Sequence, residues 1–176
     1  DDGHTPHTPR GVEGFARHAA ETVRRFPAIH SVEVGNEFNS LRFTSGIVRE
    51  AAAEARAAYY VALLKETHAQ VKALDPEIRI LGGGVHSIAA GYLSHVFALG
   101  AADYMDALAL HPYTTEVEQL VPEIGVLHRV VPESADLPIE ATEFGDANPE
   151  TAPHHLLKSY CQMALAGVSR AVWYPL

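Results

Sequence analysis

Ser31-Val32-Glu33-Val34-Gly35-Asn36-Glu37-Phe38-Asn39 is the stretch whose reading decides the fold. Val32 and Val34 point one way and Glu33 the other, the alternation of a short strand. Gly35 ends the alternation, so Asn36 and Glu37 arrive at the strand's carboxyl end. Upstream, Phe15, Ala19, Val23 and Phe26 recur at helical spacing, and Pro27 closes that helix. Downstream the spacing predicts one long helix over 45–74, with Val48, Ala52, Ala55, Tyr59 and Leu63 as its apolar stripe and Asp75-Pro76 as its stop. A strand enclosed by two helices is the repeating unit of an α/β protein.

The unit repeats along the rest of the chain. Strands are predicted over 78–81, 107–110, 139–142 and 169–173, and helices over 92–99, 117–131 and 151–166, with Pro132 and Gly167 closing the last two. Short apolar strands alternating with helices mean a parallel sheet covered by helices. Glu37, His111, Glu143 and Trp173 all then fall at strand carboxyl ends, the face on which parallel sheets and barrels carry their sites. Gly82-Gly83-Gly84 ends the second strand with no Lys-Ser/Thr after it, so it reads as a close approach to a ligand or a neighbouring backbone rather than a phosphate cradle.

Composition narrows the chemistry. The chain has 176 residues, 47% hydrophobic and 20% charged, enough for one domain spanning 1–176. A net charge of -9 disfavours nucleic acid and gives no basic stripe for an anionic membrane, so a neutral partner fits better. Cys161 is the single cysteine and cannot form an internal disulfide. The compartment stays open, secreted and periplasmic locations included. Among the eleven histidines, His154 and His155 diverge on a helix and His4 and His7 lie in a loop, so no pair has zinc-motif spacing and no metal or cofactor is expected.

Two glutamates at strand ends of one parallel scaffold, Glu37 and Glu143, supply what glycoside hydrolysis requires: one carboxyl protonates the leaving oxygen while the other attacks carbon or activates water. Asn36 beside the acid is suited to a sugar hydroxyl near the reacting carbon. Tyr113, in His111-Pro112-Tyr113, is suited to donate a hydrogen bond to a carboxylate and favour its charged form, although His111 and Tyr113 also read as a satisfied histidine and a half-buried aromatic. Trp173 reads either as core filler or as a flat platform for a sugar ring. His86, just past the glycine run, reaches toward the same cleft.

These motifs resemble the retaining glycoside hydrolases of clan A, and within it families 39 and 5. Asn36-Glu37 looks like that clan's acid/base signature after the fourth strand, and Thr142-Glu143-Phe144-Gly145 like its nucleophile signature after the seventh. His111-Pro112-Tyr113 is similar to the motif after the sixth strand and Trp173 to the aromatic of the eighth. The resemblance implies a (β/α)8 TIM barrel of which only the C-terminal part, from the third helix to the eighth strand, is present. It implies a carbohydrate substrate cleaved by a double displacement, with Glu37 as acid/base, Glu143 as nucleophile, and Asn36, His86, His111, Tyr113 and Trp173 binding substrate. A catalytically silent sugar-binding domain or an inactive fragment is the alternative. Five strands do not close an eight-stranded barrel, so open edges are expected beside Val32 and Val34 and beside Val172, with self-association or a complementary N-terminal barrel segment as the consequence.

Overall fold

The computed structural model describes Asp1 and residues 3–174. Helix α1 (Pro9–Arg25) leads into β1 (Ser31–Glu33), followed by α2 (Gly46–Glu50), α3 (Ala53–Leu74), β2 (Arg79–His86), α4 (Ala90–Ala98), β3 (Ala107–His111), α5 (Leu120–Val130), β4 (Ile139–Phe144), α6 (Ala152–Leu165) and β5 (Val168–Trp173). Local chemistry sets the first of these. The Thr8 hydroxyl accepts from the Gly11 N–H, Pro9 occupies the first turn, and Arg24 and Arg25 lie in the last turn, where the helix dipole favours cations.

One expected helix is two. Ala51 and Ala52 are extended, with ψ of 150° and 161°, and divide α2 from α3. The buried side of α3 carries Ala57, Tyr60, Leu64, Thr67 and Val71, whereas Ala52 and Ala55 are exposed. Alanines and aliphatic residues run almost all round this helix, so apolar spacing does not single out its buried face.

All five strands pair parallel in chain order, β1-β2-β3-β4-β5, and curl into part of a barrel. One face holds the core: Val34, Ile80, Leu108, Leu110, Ile139 and Ala141 pack with Leu63, Leu64, Leu93 and Leu127 of the helices. Val34 is fully buried and Val32 packs against the same cluster, so both face the helices and Glu33 faces the other way. The concave face carries a small cluster, Leu81, Ala107 and Ala109. By strand alternation the same face carries Glu33, Arg79, His111 and Glu140. Glu140 is buried there between Arg79, 2.6 Å away, and Arg170, 3.9 Å away. At the far side, residues 169–172 of β5 are exposed, as are Leu157, Tyr160 and Leu165 of α6.

The glycine run lies where β1 and β3 reach across β2. A Cβ on Gly84, whose φ is 50°, would stand 2.7 Å from the Glu33 carboxylate, and one on Gly83 would stand 2.7 Å from the Ala109 carbonyl. Leaving side chains off β2 at this level lets groups from its two neighbouring strands meet above it.

Candidate active site

Glu37 follows β1 by a short turn with a backbone φ of 46°, a left-handed conformation that a non-glycine residue seldom adopts. Its amide donates to the Gly84 carbonyl at 2.7 Å and its carbonyl accepts from Ser40 N–H at 2.7 Å, so the turn is held from both sides. The Glu37 side chain is buried, yet the residue lines a cleft of about 620 Å³ at the carboxyl ends of the strands. Asn36, His86, Tyr113 and Glu143 line the same cleft. Five residues singled out in sequence therefore meet in one place.

His111, the last residue of β3, is fully buried beneath this cleft. Its Nδ1 lies 3.1 Å from Glu37 Oε1 and its Nε2 lies 2.9 Å from Glu33 Oε1. A carboxylate on each ring nitrogen asks both nitrogens to donate, the bonding pattern of imidazolium. Burial pulls the His111 pKa down, but the hydrogen bond and charge of Glu33, the hydrogen bond of Glu37 and the charge of Glu143 hold it above the ordinary histidine value. With both nitrogens occupied and no exposed surface, His111 holds Glu37 from below instead of facing a ligand.

The second oxygen of Glu37 differs from the first. Oε2 is buried and has no hydrogen-bond partner among the described residues. His86 Nδ1 stands 3.4 Å from it. His86 is itself fixed by Asn39, whose side-chain amide pairs with the His86 backbone in both directions, at 2.9 Å and 3.0 Å. Across the cleft the Tyr113 hydroxyl donates to Glu143 Oε2 at 3.2 Å. Burial and then the charge of Glu143 push the Tyr113 pKa far above that of a free phenol, so it remains a donor throughout the neutral range.

Trp173 lies elsewhere. Its ring packs edge-on against Phe144 at 5.2 Å and stands 6.1 Å from His155 of α6, on the helix side of the sheet. Tyr174, the next residue, lines the cleft in its place, joined by Arg42 and Phe43 of the loop after β1. Glu33 and Asn39 also belong to the site, and neither is marked by the sequence. A strand glutamate flanked by valines looks solvent-facing, and the Asn39 pairing joins residues 47 apart with no local signal. Among the described residues no group of three or more His, Cys, Asp or Glu side chains is arranged to hold a metal ion.

No family model matches the chain. No curated protein matches it in sequence. Its fold is similar to a family 39 glycoside hydrolase from the gut symbiont Bacteroides cellulosilyticus WH2, with a TM-score of 0.72 and 20% identity over 97% of this chain and 38% of that one. It is also similar to a monomeric β-xylosidase from Caulobacter crescentus CB15, with a TM-score of 0.67 and 18% identity over 96% and 39% of the two chains. A Bacteroides uniformis β-glucuronidase gives a TM-score of 0.71 and 14% identity over 98% and 22%. The fold is thus that of part of a glycosidase barrel, and the chain spans less than two fifths of each of these structures.

Proposed function

We propose that this chain is the glutamate-bearing part of a retaining glycoside hydrolase that cleaves O-glycosidic bonds of a poly- or oligosaccharide. What carries the reading is the shared cleft of Glu37 and Glu143, with a tyrosine hydroxyl on one carboxylate and a buried, unpartnered oxygen on the other. The barrel-like fold and the sugar-cleaving enzymes it resembles support the same class. Glu143 is the nucleophile: the Tyr113 hydroxyl steadies its ionised form through Oε2 and leaves the other oxygen to attack the anomeric carbon. Glu37 gives its proton to the departing glycosidic oxygen, and a covalent glycosyl ester on Glu143 results. Water then displaces that ester from the same carbon while Glu37 takes its proton, which restores both carboxyl groups with net retention.

A silent sugar-binding domain would have both carboxylates consumed by structure. Each is engaged here by hydrogen bonds through one oxygen, Oε1 of Glu37 and Oε2 of Glu143, which favours the hydrolytic reading. A buried carboxylate oxygen without a partner costs about 1–3 kcal/mol or more, and an arriving glycosidic oxygen bearing the shared proton would satisfy it. Retention requires carboxyl groups about 5–5.5 Å apart, against roughly 6.5 Å or more for inversion. The decisive experiment follows the anomer of the first product by NMR with an aryl glycoside, using the chain alone and with the remaining barrel strands supplied as a second polypeptide. Retained configuration is expected; a product of inverted configuration excludes the covalent route.

A further inference from the structure

Glu33 has no place in the two-carboxylate chemistry, yet it is built into the site. It belongs to β1, four residues before Glu37, and its Oε1 lies 2.9 Å from His111 Nε2. The contact exists because Gly84 has no side chain: a Cβ there would fall 2.7 Å from that same oxygen. His111 carries the contact onward to Glu37 Oε1 at 3.1 Å. Glu33, His111 and Glu37 thus form a continuous chain of charge-assisted hydrogen bonds across three strands, with its middle member fully buried.

Resting on the glycosidase reading, we infer that Glu33 is a positioning residue: by engaging the far nitrogen of His111 it keeps that ring donating to Glu37 and holds the acid/base carboxyl in its productive orientation. Removing the Glu33 charge leaves His111 facing a single engaged carboxylate, so the ring sheds its Nε2 proton more readily and the Nδ1–H bond to Glu37 loses the positive charge that strengthens it. The other charged and titratable groups around the ring are few. His86 of β2 approaches the free side of Glu37, Glu143 of β4 adds negative charge across the cleft, Tyr113 follows β3, and the Tyr60 hydroxyl of α3 reaches the glycine run by accepting from Gly83 N–H at 2.5 Å. None of these contacts Nε2 of His111 among the described hydrogen bonds, so Glu33 is what distinguishes one ring nitrogen from solvent or void.

The test uses Glu33→Gln, which keeps the size and removes the charge, and Glu33→Asp, which keeps the charge one methylene further away. Two readouts are taken on the full chain. In the first, 15N and 1H imidazole resonances of His111 are followed from pH 5 to 9. The unmodified protein should hold both ring protons to a pH at least about one unit higher than Glu33→Gln does, with Glu33→Asp between them. In the second, turnover is compared for a dinitrophenyl glycoside, whose leaving group needs no proton, and an alkyl glycoside, whose leaving group does. Glu33→Gln should lower kcat/KM for the alkyl substrate about tenfold or more, because kcat/KM reports formation of the glycosyl ester, where a misplaced acid fails only when protonation is required, and should leave kcat/KM for the dinitrophenyl substrate within about twofold.

An unchanged His111 titration overturns the inference whatever the activity, as does an equal loss on both substrates, which is the mark of a merely structural residue. If the His111 titration shifts as expected and no glycoside is cleaved even with the remaining strands supplied, the positioning contact stands and the glycosidase reading falls. Should Glu33→Gln unfold the protein, a Glu33→Asp variant with intact thermal unfolding carries the same two measurements.

Discussion

Glu37 combines strain and chemistry in one residue. Its positive φ costs about 1–3 kcal/mol, and three hydrogen bonds maintain it: Glu37 N–H donates to the Gly84 carbonyl, Ser40 N–H donates to the Glu37 carbonyl, and the His111 ring donates to the Glu37 carboxylate. Under the proposed roles, Glu143→Ala should abolish turnover of every glycoside by at least about 10⁴-fold, whereas Glu37→Ala should keep formation of the glycosyl intermediate from dinitrophenyl substrates. Azide should then accelerate the Glu37→Ala variant and yield a glycosyl azide of retained configuration. An inverted azide formed by Glu37→Ala, with a retained one formed by Glu143→Ala, would exchange the two roles. His111 sets a second expectation, this time for stability. Its pKa is raised on folding, so its contribution is fully present below the ordinary histidine value near 6.5 and is lost as pH climbs through the higher folded value. Thermal unfolding between pH 6 and 9 should therefore show a falling Tm in the unmodified protein, with a flatter profile in His111→Asn.

At the scale of elements, the glycine-marked β2 is where substitution should tell most. Gly83→Ala meets both a φ of 96° and the Ala109 carbonyl, so it should destabilise the fold by about 2–4 kcal/mol. Tyr60→Phe should cost about 1–3 kcal/mol by leaving the buried Gly83 N–H without its acceptor. Denaturant unfolding with an unchanged m-value checks both. The alternation of helix and strand was legible in the sequence because five short apolar runs were each bounded by Gly, Pro or a charged turn. The break between α2 and α3 was not, since alanines fit either conformation at the surface. Side-chain direction along the strands was only partly legible. Parity arguments assume a regular ladder, and the ladder here shifts at Gly83/Val85, Ile139/Glu140 and Ala141/Phe144. Glu143 and Phe144 lie at the last of these shifts: Phe144 pairs with Trp173 on the helix side, which turns the indole away from the cleft and leaves Tyr174 to face it. Glu37, by contrast, reached its place as read, because a glycine followed directly by Asn-Glu ends a strand whatever its register.

For the whole molecule, the sheet has two edges without a pairing strand among the described residues, β1 and β5, and exposed apolar side chains concentrate on the β5 side with α6. Free strand edges beside exposed Leu157, Tyr160, Leu165 and Val172 favour association with another chain. Light scattering of the 176-residue polypeptide is expected to show species larger than a monomer at micromolar concentration, with glycosidase activity rising on addition of the remaining strands. A monodisperse, cooperatively melting monomer with normal turnover would show instead that five strands suffice.

Glu140 and its two arginines give the concave face a further property. Two guanidinium groups share one carboxylate, and both arginines keep substantial contact with water. A strand that covered them with apolar side chains would trap an unbalanced cation, at a cost of several kcal/mol, whereas a strand carrying an aspartate or glutamate at that level would neutralise it. The surplus charge is therefore expected to act as a key: a closing segment with an acid at the matching height should be favoured over the same segment slipped by one residue, because the slip would turn that acid to the opposite face.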